Sequence, residues 1–227
     1  MAKKPRRSQD KLLALIYRQI LQMKPTKQYI LEKALLLFNE NGFVNVRLQH
    51  VADKAFVSVG HLAYHFKTKK DLMTSLYRRL YRRQELLLTE FRVLPLFEDI
   101  DFLMRRVFEL QHQYLFFFLD TLEVLRAFPE IADKHQELLR FQRQQIHFMM
   151  EFNASRGAFQ QPLYKEQFND FTHIFCLTMD NWRSYQIIAG NQHPVVDVFC
   201  NDLWSILRAL ISDLGLPEFG QLTNKII

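Results

Sequence analysis

The sequence has little glycine, proline or cysteine, with 6, 7 and 2 of these among its 227 residues. So few turn-forming residues disfavour an all-β protein with many short strands. The two cysteines, Cys176 and Cys200, cannot build a disulfide framework, so we expect buried thiols in a reducing compartment. No apolar run approaches the ~20 residues of a membrane span, and no small-residue cleavage site follows residues 12–20. We therefore expect a cytoplasmic protein that has neither a membrane helix nor a signal peptide.

Charge is distributed unevenly along the chain. Residues 1–94 carry 19 Lys and Arg against 7 Asp and Glu, a net charge of +12. Residues 95–227 carry 11 against 17, a net charge of −6. A basic segment joined to an acidic remainder favours a polyanionic partner, such as a phosphate backbone, for the first part. The alternative is a solvated basic surface.

Apolar residues recur at helical spacing along almost the whole chain, and no segment alternates with the period of a strand. The predicted helices cover residues 11–23, 27–41, 48–54, 59–65, 69–91, 100–119, a shorter piece up to 127, 129–155, 165–189 and 194–214. Gly190 and Gly215 are interpreted as C-terminal caps. The expected fold class is all-α, with 21 phenylalanines giving an aromatic core.

Three short helices with tight connections within residues 27–72 are what a helix-turn-helix requires. The segment resembles the DNA-binding domain of the TetR family of bacterial transcriptional regulators. The matching residues are Ala34, Phe38, Gly42, Phe43, Val51, Ala52, Ala55, Val57, Ser58, Val59, Gly60, Leu62, His65, Phe66, Lys69, Lys70, Asp71 and Leu72. The resemblance implies a basic arm and short helix at 1–26 and a helix-turn-helix domain at 27–72. A helical ligand-binding and dimerisation domain would follow at 73–227.

Several matched residues have a physical role that the sequence suggests. Gly42 would end the first helix, and Ser58 would cap the recognition helix through its hydroxyl. Gly60 would allow close approach to DNA, and Lys69 would meet a phosphate at the start of the fourth helix. The predicted core of this unit consists of Ala34, Phe38, Val51 and Leu62. The resemblance implies base contacts by Gln49, Val59 and His61, and phosphate contacts by Arg47, Tyr64, His65 and Lys69.

The sequence departs from the family pattern at several positions. Phe56 stands where glycine is usual, so we expect a turn without positive φ. Asn45 is expected to cap the second helix, because the usual Ser or Thr is missing near Arg47. His61 replaces a usual threonine, and Ala63 replaces a tyrosine that Tyr64 partly supplies. These changes indicate an unusual operator sequence.

Two further basic features have alternative interpretations. The residues Lys3, Lys4, Arg6 and Arg7 could form an arm that reaches a minor groove or phosphates, or a solvated tail. His61 and His65 have the i, i+4 spacing of two metal ligands, but the glutamate of a His-Glu-x-x-His motif is missing. We expect no metal and no cofactor.

An aromatic cluster in the second half suggests a ligand pocket. The candidate lining residues are His112, Tyr114, Phe117, His147 and Phe148. The resemblance implies that helices after the fourth enclose a small-molecule cavity, and an aromatic one would take an apolar or flat effector. Plain core packing is the alternative for each single residue.

The last two predicted helices are apolar on more than one face, which indicates cover on more than one side. The candidate dimer-interface residues are Phe175, Met179, Trp182, Val196, Phe199, Leu203, Ile206 and Leu210. Ile174, Leu177 and Ile188 occupy other faces. The resemblance implies a four-helix dimer bundle, and a fully buried helix in a monomer is the alternative.

No nucleophile elbow, phosphate-binding loop, Cys-x-x-Cys pair or persuasive pair of carboxylates is present, so we expect no enzyme. The sequence favours a homodimeric, ligand-released repressor that binds double-stranded DNA at a pseudo-palindromic operator. One alternative is a ligand-free or partner-controlled DNA-binding protein or activator. The other is a helical small-molecule binder or enzyme.

Overall fold

The computed structural model describes residues 27–90 and 95–226, and these contain eleven helices and no strand. The predicted N-terminal arm and its short helix lie outside the described residues. The helices are α1 (Lys27–Asn41), α2 (Leu48–Lys54), α3 (Val59–His65), α4 (Lys69–Glu90), α5 (Phe97–Gln113), α6 (Leu115–Leu119), α7 (Thr121–Ala127), α8 (Pro129–Ser155), α9 (Gln167–Ile188), α10 (Val196–Arg208) and α11 (Leu216–Ile226). The predicted all-α fold is confirmed.

The first three helices form a head with the predicted bounds. Ala34, Phe38, Val51 and Leu62 are each at most 1% exposed, as expected of the small core where three helices meet. Burial of a large apolar side chain at such a position stabilises the fold by ~1.5–3 kcal/mol. The packing of these four residues therefore sets the angle at which α3 is presented.

Local caps end and begin the helices of the head. Gly42 has a φ of +75°, and its N–H bonds the Phe38 carbonyl at 2.9 Å, which ends α1 as predicted. The Ser58 hydroxyl accepts the His61 N–H at 3.1 Å and caps α3 as predicted. Each cap satisfies a backbone group that the end of a helix leaves open.

The second half differs from the predicted helices at three places, one of which is α11, a helix that the sequence pattern did not predict. The helix predicted over 100–119 breaks at Tyr114, whose φ of −114° and ψ of 38° separate α5 from α6. Gly215 does not cap a helix, because α10 ends at Arg208. A Cβ at Gly215 would lie 2.2 Å from the Ala158 carbonyl oxygen, so glycine permits a close approach of two backbone segments here.

The α4 helix connects the head to the body. Its buried stripe contains the predicted Leu72, Leu76, Leu80 and Leu87. It packs against α1 in the head and against α5 and α8 in the body, while α9 packs on α8 and α10. The α4 helix is therefore in contact with both the head and the body.

Candidate DNA-contacting face and ligand cavity

The predicted DNA-contacting residues lie on α3, at the start of α2 and at the start of α4. Six of these residues are exposed to solvent: Arg47, Gln49, Ser58, Val59, Gly60 and Tyr64. The other three, His61, His65 and Lys69, are half-buried. Tyr64 is 83% exposed and its ring contacts His65 edge to face. A short helix with this much uncovered surface can enter a groove.

The fold itself does not require glycine at position 60. A Cβ built on Gly60 would meet nothing closer than the Ser58 hydroxyl at 3.9 Å. The small residue therefore leaves open space on the outer surface of α3, where a partner backbone can come close.

The capping of α2 differs from the prediction. The Asn45 amide donates to the Asn41 carbonyl at 2.8 Å, so it serves the end of α1. Arg47 is the N-cap of α2, and its N–H donates to Nδ1 of His50 at 3.2 Å. His50 stands at the third position of the helix and plays the part of the Glu or Gln of a capping box, because its ring accepts the N–H of the N-cap residue.

The turn between α2 and α3 keeps the left-handed backbone without glycine. Phe56 has a φ of 55°, so the expectation of a turn without positive φ was wrong. The backbone is held there by hydrogen bonds from the N–H groups of Phe56 and Val57 to the carbonyls of Asp53 and Ala52. The Phe56 side chain is 83% exposed, so packing does not offset the cost of this conformation.

The Lys69 side chain contacts two other residues of the head. Its Nζ donates to the Val44 carbonyl at 3.2 Å and lies 4.2 Å from the centre of the Phe43 ring. Burial lowers the pKa of this amine. The ammonium has two further donor positions with which it can contact a phosphate.

The loop after α1 is bonded directly to the body. The Phe43 N–H donates to the Asp120 carboxylate at 2.8 Å. The Asn39 side chain donates to the Gln113 carbonyl at 2.9 Å and accepts the Phe116 N–H at 3.1 Å. These bonds join the head to the end of α5, to α6, and to the residue between α6 and α7.

A cavity of about 740 Å³ lies among α6, α7, α8 and α9. Twelve of its twenty lining side chains are polar or charged, and the other eight are apolar. The lining residues are Gln84, Phe117, Phe118, Leu119, Asp120, Thr121, Leu122, Glu123, Leu125, Arg126, His135, Leu139, Gln142, Arg143, His173, Cys176, Leu177, Asp180, Asn181 and Ser184. This volume suits a drug-sized molecule.

Of the five residues predicted for the pocket, Phe117 lines this cavity. His112 is exposed at the end of α5, and Tyr114 is buried at the α5–α6 break. His147 pairs with Glu151, and Phe148 is 42% exposed. The long α8 faces the cavity only with its first half, so these two residues lie beyond the cavity.

The sequence reasoning missed the polar groups of the cavity. The Gln142 amide donates to the Asp180 carboxylate at 2.8 Å, and burial raises the pKa of Asp180 to about 7. His135 contacts the Tyr77 hydroxyl at 3.3 Å, and burial lowers its pKa to about 4. The available signal was the spacing of His135 and Gln142, seven residues apart on the buried stripe of α8.

The residues predicted for the dimer interface mostly face the protomer's own core. Six of them are at most 4% exposed, and Val196 and Ile206 are half-buried; the six are Phe175, Met179, Trp182, Phe199, Leu203 and Leu210. The rings of Trp182 and Phe199 pack on Phe108 of α5, which leaves this face unavailable to a partner.

The outward side of α9 is apolar as well. Ile174, Leu177, Tyr185 and Ile188 are 49%, 55%, 67% and 85% exposed. Their spacing places them along one side of the helix, and Val198 of α10 is 45% exposed. We call these five residues the outer stripe, and one of them, Leu177, also lines the cavity.

Comparison with known proteins matches both halves of the chain. A family model described as bacterial regulatory proteins of the tetR family matches residues 30–76, and one described as a bacterial transcriptional repressor, TetR, matches residues 68–219. The "Probable HTH-type transcriptional regulator YttP" of Bacillus subtilis (strain 168) is 41% identical over 56 residues, which is 25% of this chain and 27% of that relative. The chain thus matches little more than a quarter of the relative's length.

Solved structures match over most of the length. A TetR-family transcriptional regulator from Marinobacter aquaeolei VT8 has a TM-score of 0.78 at 21% identity, covering 86% of this chain and 96% of that one. A structure from Saccharomonospora viridis in complex with choline has a TM-score of 0.65 at 20% identity, covering 82% and 97%. These likenesses concern the fold. Within the described part of the chain, every helix is too short or too polar to cross a membrane.

Proposed function

The chain belongs to the TetR family of bacterial transcriptional regulators, and from this premise we propose that it is a homodimeric repressor released from its operator by a small molecule. Its place of action is the cytoplasm, where the DNA lies. The observation that carries the proposal is the bond between the head and the cavity wall. Asp120 lines the cavity and also accepts the Phe43 N–H, so a molecule in the cavity touches a helix end that is bonded to the head.

In the proposed complex with DNA, α3 occupies the major groove. Gln49, Val59 and His61 read base edges, while Arg47, Tyr64, His65 and Lys69 face phosphates. Ser58 holds the first turn of α3, and Gly60 permits close approach. Gln49 is already positioned by a bond from its amide to Asp53 at 2.7 Å, which lowers the entropy lost on binding.

The outer stripe supports a dimer built from α9 and α10. An exposed row of large apolar side chains marks a surface that gains from being covered. Two copies related by a two-fold axis would bring these rows together and would present two α3 helices to successive major grooves. The two heads must then keep a fixed separation, because both bind the same operator.

Release follows from this geometry. A ligand that fills the cavity displaces α6 and α7 relative to α4. Both α4 and α6 pack on α1 of the head, and Asp120 at the start of α7 is bonded to Phe43. A change of a few ångströms in the separation of the heads prevents simultaneous docking. The ligand needs only a modest preference for the released state, because coupling energies of ~1–3 kcal/mol change affinity many-fold. A cavity of this volume disfavours the ligand-free alternative.

The test is footprinting of the full chain on the DNA upstream of its own gene at physiological salt. The proposal expects protection of a site with two half-sites about one helical turn apart. The matched control is Gly60→Asp, which has room in the fold but places a negative charge on the outer surface of α3. The control is expected to fold and to lose protection. Absence of any protected site, or only salt-sensitive binding to all sequences, would refute the proposal.

A further inference from the structure

A narrow recess between α4, α5, α8 and α9 adjoins the cavity. The recess has a volume of about 20 Å³ and shares Gln84, Phe118, Gln142 and Asp180 with the larger cavity. Its remaining walls are apolar apart from Gln111. A volume of this size holds about one water-sized group.

The polar atoms without partners at this recess are hydrogen-bond acceptors. Gln111 is 1% exposed, and its Nε2 donates to the Met179 carbonyl at 2.9 Å. That bond fixes the orientation of the amide, and its buried Oε1 has no partner among the described residues. Gln84 likewise has a buried Oε1 without a partner there.

Asp180 adds a carboxyl group to these acceptors, and it carries a full negative charge once the pH lies well above its pKa of about 7. Its carboxylate accepts one hydrogen bond, from Gln142 at 2.8 Å. Among the described residues no lysine, arginine or histidine lies within ion-pair distance of it. Burial of an unpaired carboxylate and of open amide oxygens is unfavourable, so the fold carries a cost here that a donor would offset.

We propose that the recess binds the protonated primary amine of an effector whose apolar body fills the larger cavity. The inference rests on the proposed function, in which this cavity is the effector site. An ammonium group brings three N–H donors and one positive charge, which match the Asp180 carboxylate and the Oε1 atoms of Gln84 and Gln111. The apolar body would contact Phe117, Phe118 and the leucines of the wall.

The same geometry rejects close chemical relatives of the amine. A quaternary ammonium has no N–H donor, and its methyl groups exceed the volume of the recess. A carboxylate would be repelled by Asp180. An alcohol donates one hydrogen bond but brings no charge. Selectivity therefore lies in the head group, while the tail contributes affinity in each case.

The test is calorimetric titration of the full chain at about pH 8.5, where Asp180 is ionised and a primary amine is still protonated, with four probes that share an eight-carbon tail: octylamine, octanol, octanoate and octyltrimethylammonium. We expect octylamine to bind at least about tenfold more tightly than each of the others. Asp180→Asn should weaken octylamine binding at least about tenfold and leave octanol binding within about twofold. Asn retains an acceptor for Gln142, so this variant keeps the local hydrogen bond.

Two further variants separate the recess from general effects. Gln111→Met, of similar size, should weaken octylamine binding several-fold because it removes one acceptor. Glu151→Gln removes a carboxylate that lies on α8 away from the cavity, and it should change nothing. Thermal melting of each variant establishes that it is folded.

The inference is overturned if octanoate, octanol or the quaternary probe binds as tightly as octylamine. It is equally overturned if a folded Asp180→Asn protein keeps its affinity for the amine. Neither result affects the regulator proposal, which fails only if the footprint is absent. Binding of the amine by a chain that protects no DNA would support the recess and refute the regulator.

Discussion

The Phe43 N–H and the Asp120 carboxylate are joined by a 2.8 Å hydrogen bond, although 77 residues separate them in sequence. Phe43 begins the loop that leads to α2, and Asp120 lies between α6 and α7 at the wall of the cavity. The contact is close, because a Cβ at Gly42 would come within 3.3 Å of the same carboxylate. The wall of the cavity and the backbone of the head are thereby joined directly.

Removing this bond should weaken the junction. We expect Asp120→Ala to lower the free energy of unfolding by about 1–3 kcal/mol, because it leaves the buried Phe43 N–H without an acceptor. Asp120→Asn keeps an oxygen in place and should cost less. Urea denaturation measures both, and equal losses in the two variants would mean that the hydrogen bond is unimportant.

The turn at Phe56 should be stabilised by glycine. Phe56→Gly is expected to raise the free energy of unfolding by about 1 kcal/mol, because it relieves the left-handed strain at the expense of some chain entropy. Phe56→Ala is the control, since it retains a Cβ at positive φ and should give no gain. Denaturant melts of the two proteins compare them directly, and a gain for alanine would contradict the strain.

His61 should contribute to base discrimination. We expect His61→Ala to change the preferred base at about one or two operator positions, because the residue lies on the helix proposed to read the groove. Selection of binding sites from a random DNA pool measures this preference. Uniform weakening on all sequences would instead assign His61 to a phosphate contact.

The outer stripe should hold the dimer. Ile174→Glu with Ile188→Glu is expected to shift the protein from dimer to monomer, because two charges would enter an apolar interface. Leu163→Glu, at a residue 83% exposed in the loop before α9, is the control and should leave the dimer intact. Sedimentation of the three proteins decides, and a dimer that survives the double change would place the interface elsewhere.

His135 should make the fold sensitive to acid. Its pKa is about 4 in the folded protein and near 6.5 when exposed, so only the unfolded chain takes up a proton between these values. Stability is therefore complete above pH 6.5 and is lost as the pH falls towards 4, by about 3 kcal/mol. The difference in unfolding free energy between wild type and His135→Gln should shrink accordingly over this range. The exposed His193→Gln should show no such trend.

The sequence predicted the head better than the body because its signals are local. Gly42 and Ser58 act on backbone groups within four residues, so a short pattern suffices to place them. Most residues predicted for the interface are buried in the protomer, because periodicity identifies apolar faces without saying which one turns inward. On α9, Phe175 and Ile174 are neighbours in sequence, yet one is buried and the other is 49% exposed.

The cavity could not be derived from the sequence for a different reason. Its walls join residues such as Phe117, His135 and Asp180, which are far apart along the chain. The break at Tyr114 decides where α6 begins, and no glycine or proline marks it. The cavity arises where helices pack together, as α6 does against α1 and α9. A pattern within one helix carries no information about such packing.

One helix, α9, has Asp180 and Cys176 on the cavity side and Ile174 and Ile188 on the outer stripe. An α-helix with its side chains is only ~10 Å across. In the proposed dimer, the cavity of one protomer and the cavity of its partner would thus be separated by little more than their two α9 helices. Titrations should then be fitted as two adjoining sites, since filling the first alters the surface against which the second is built.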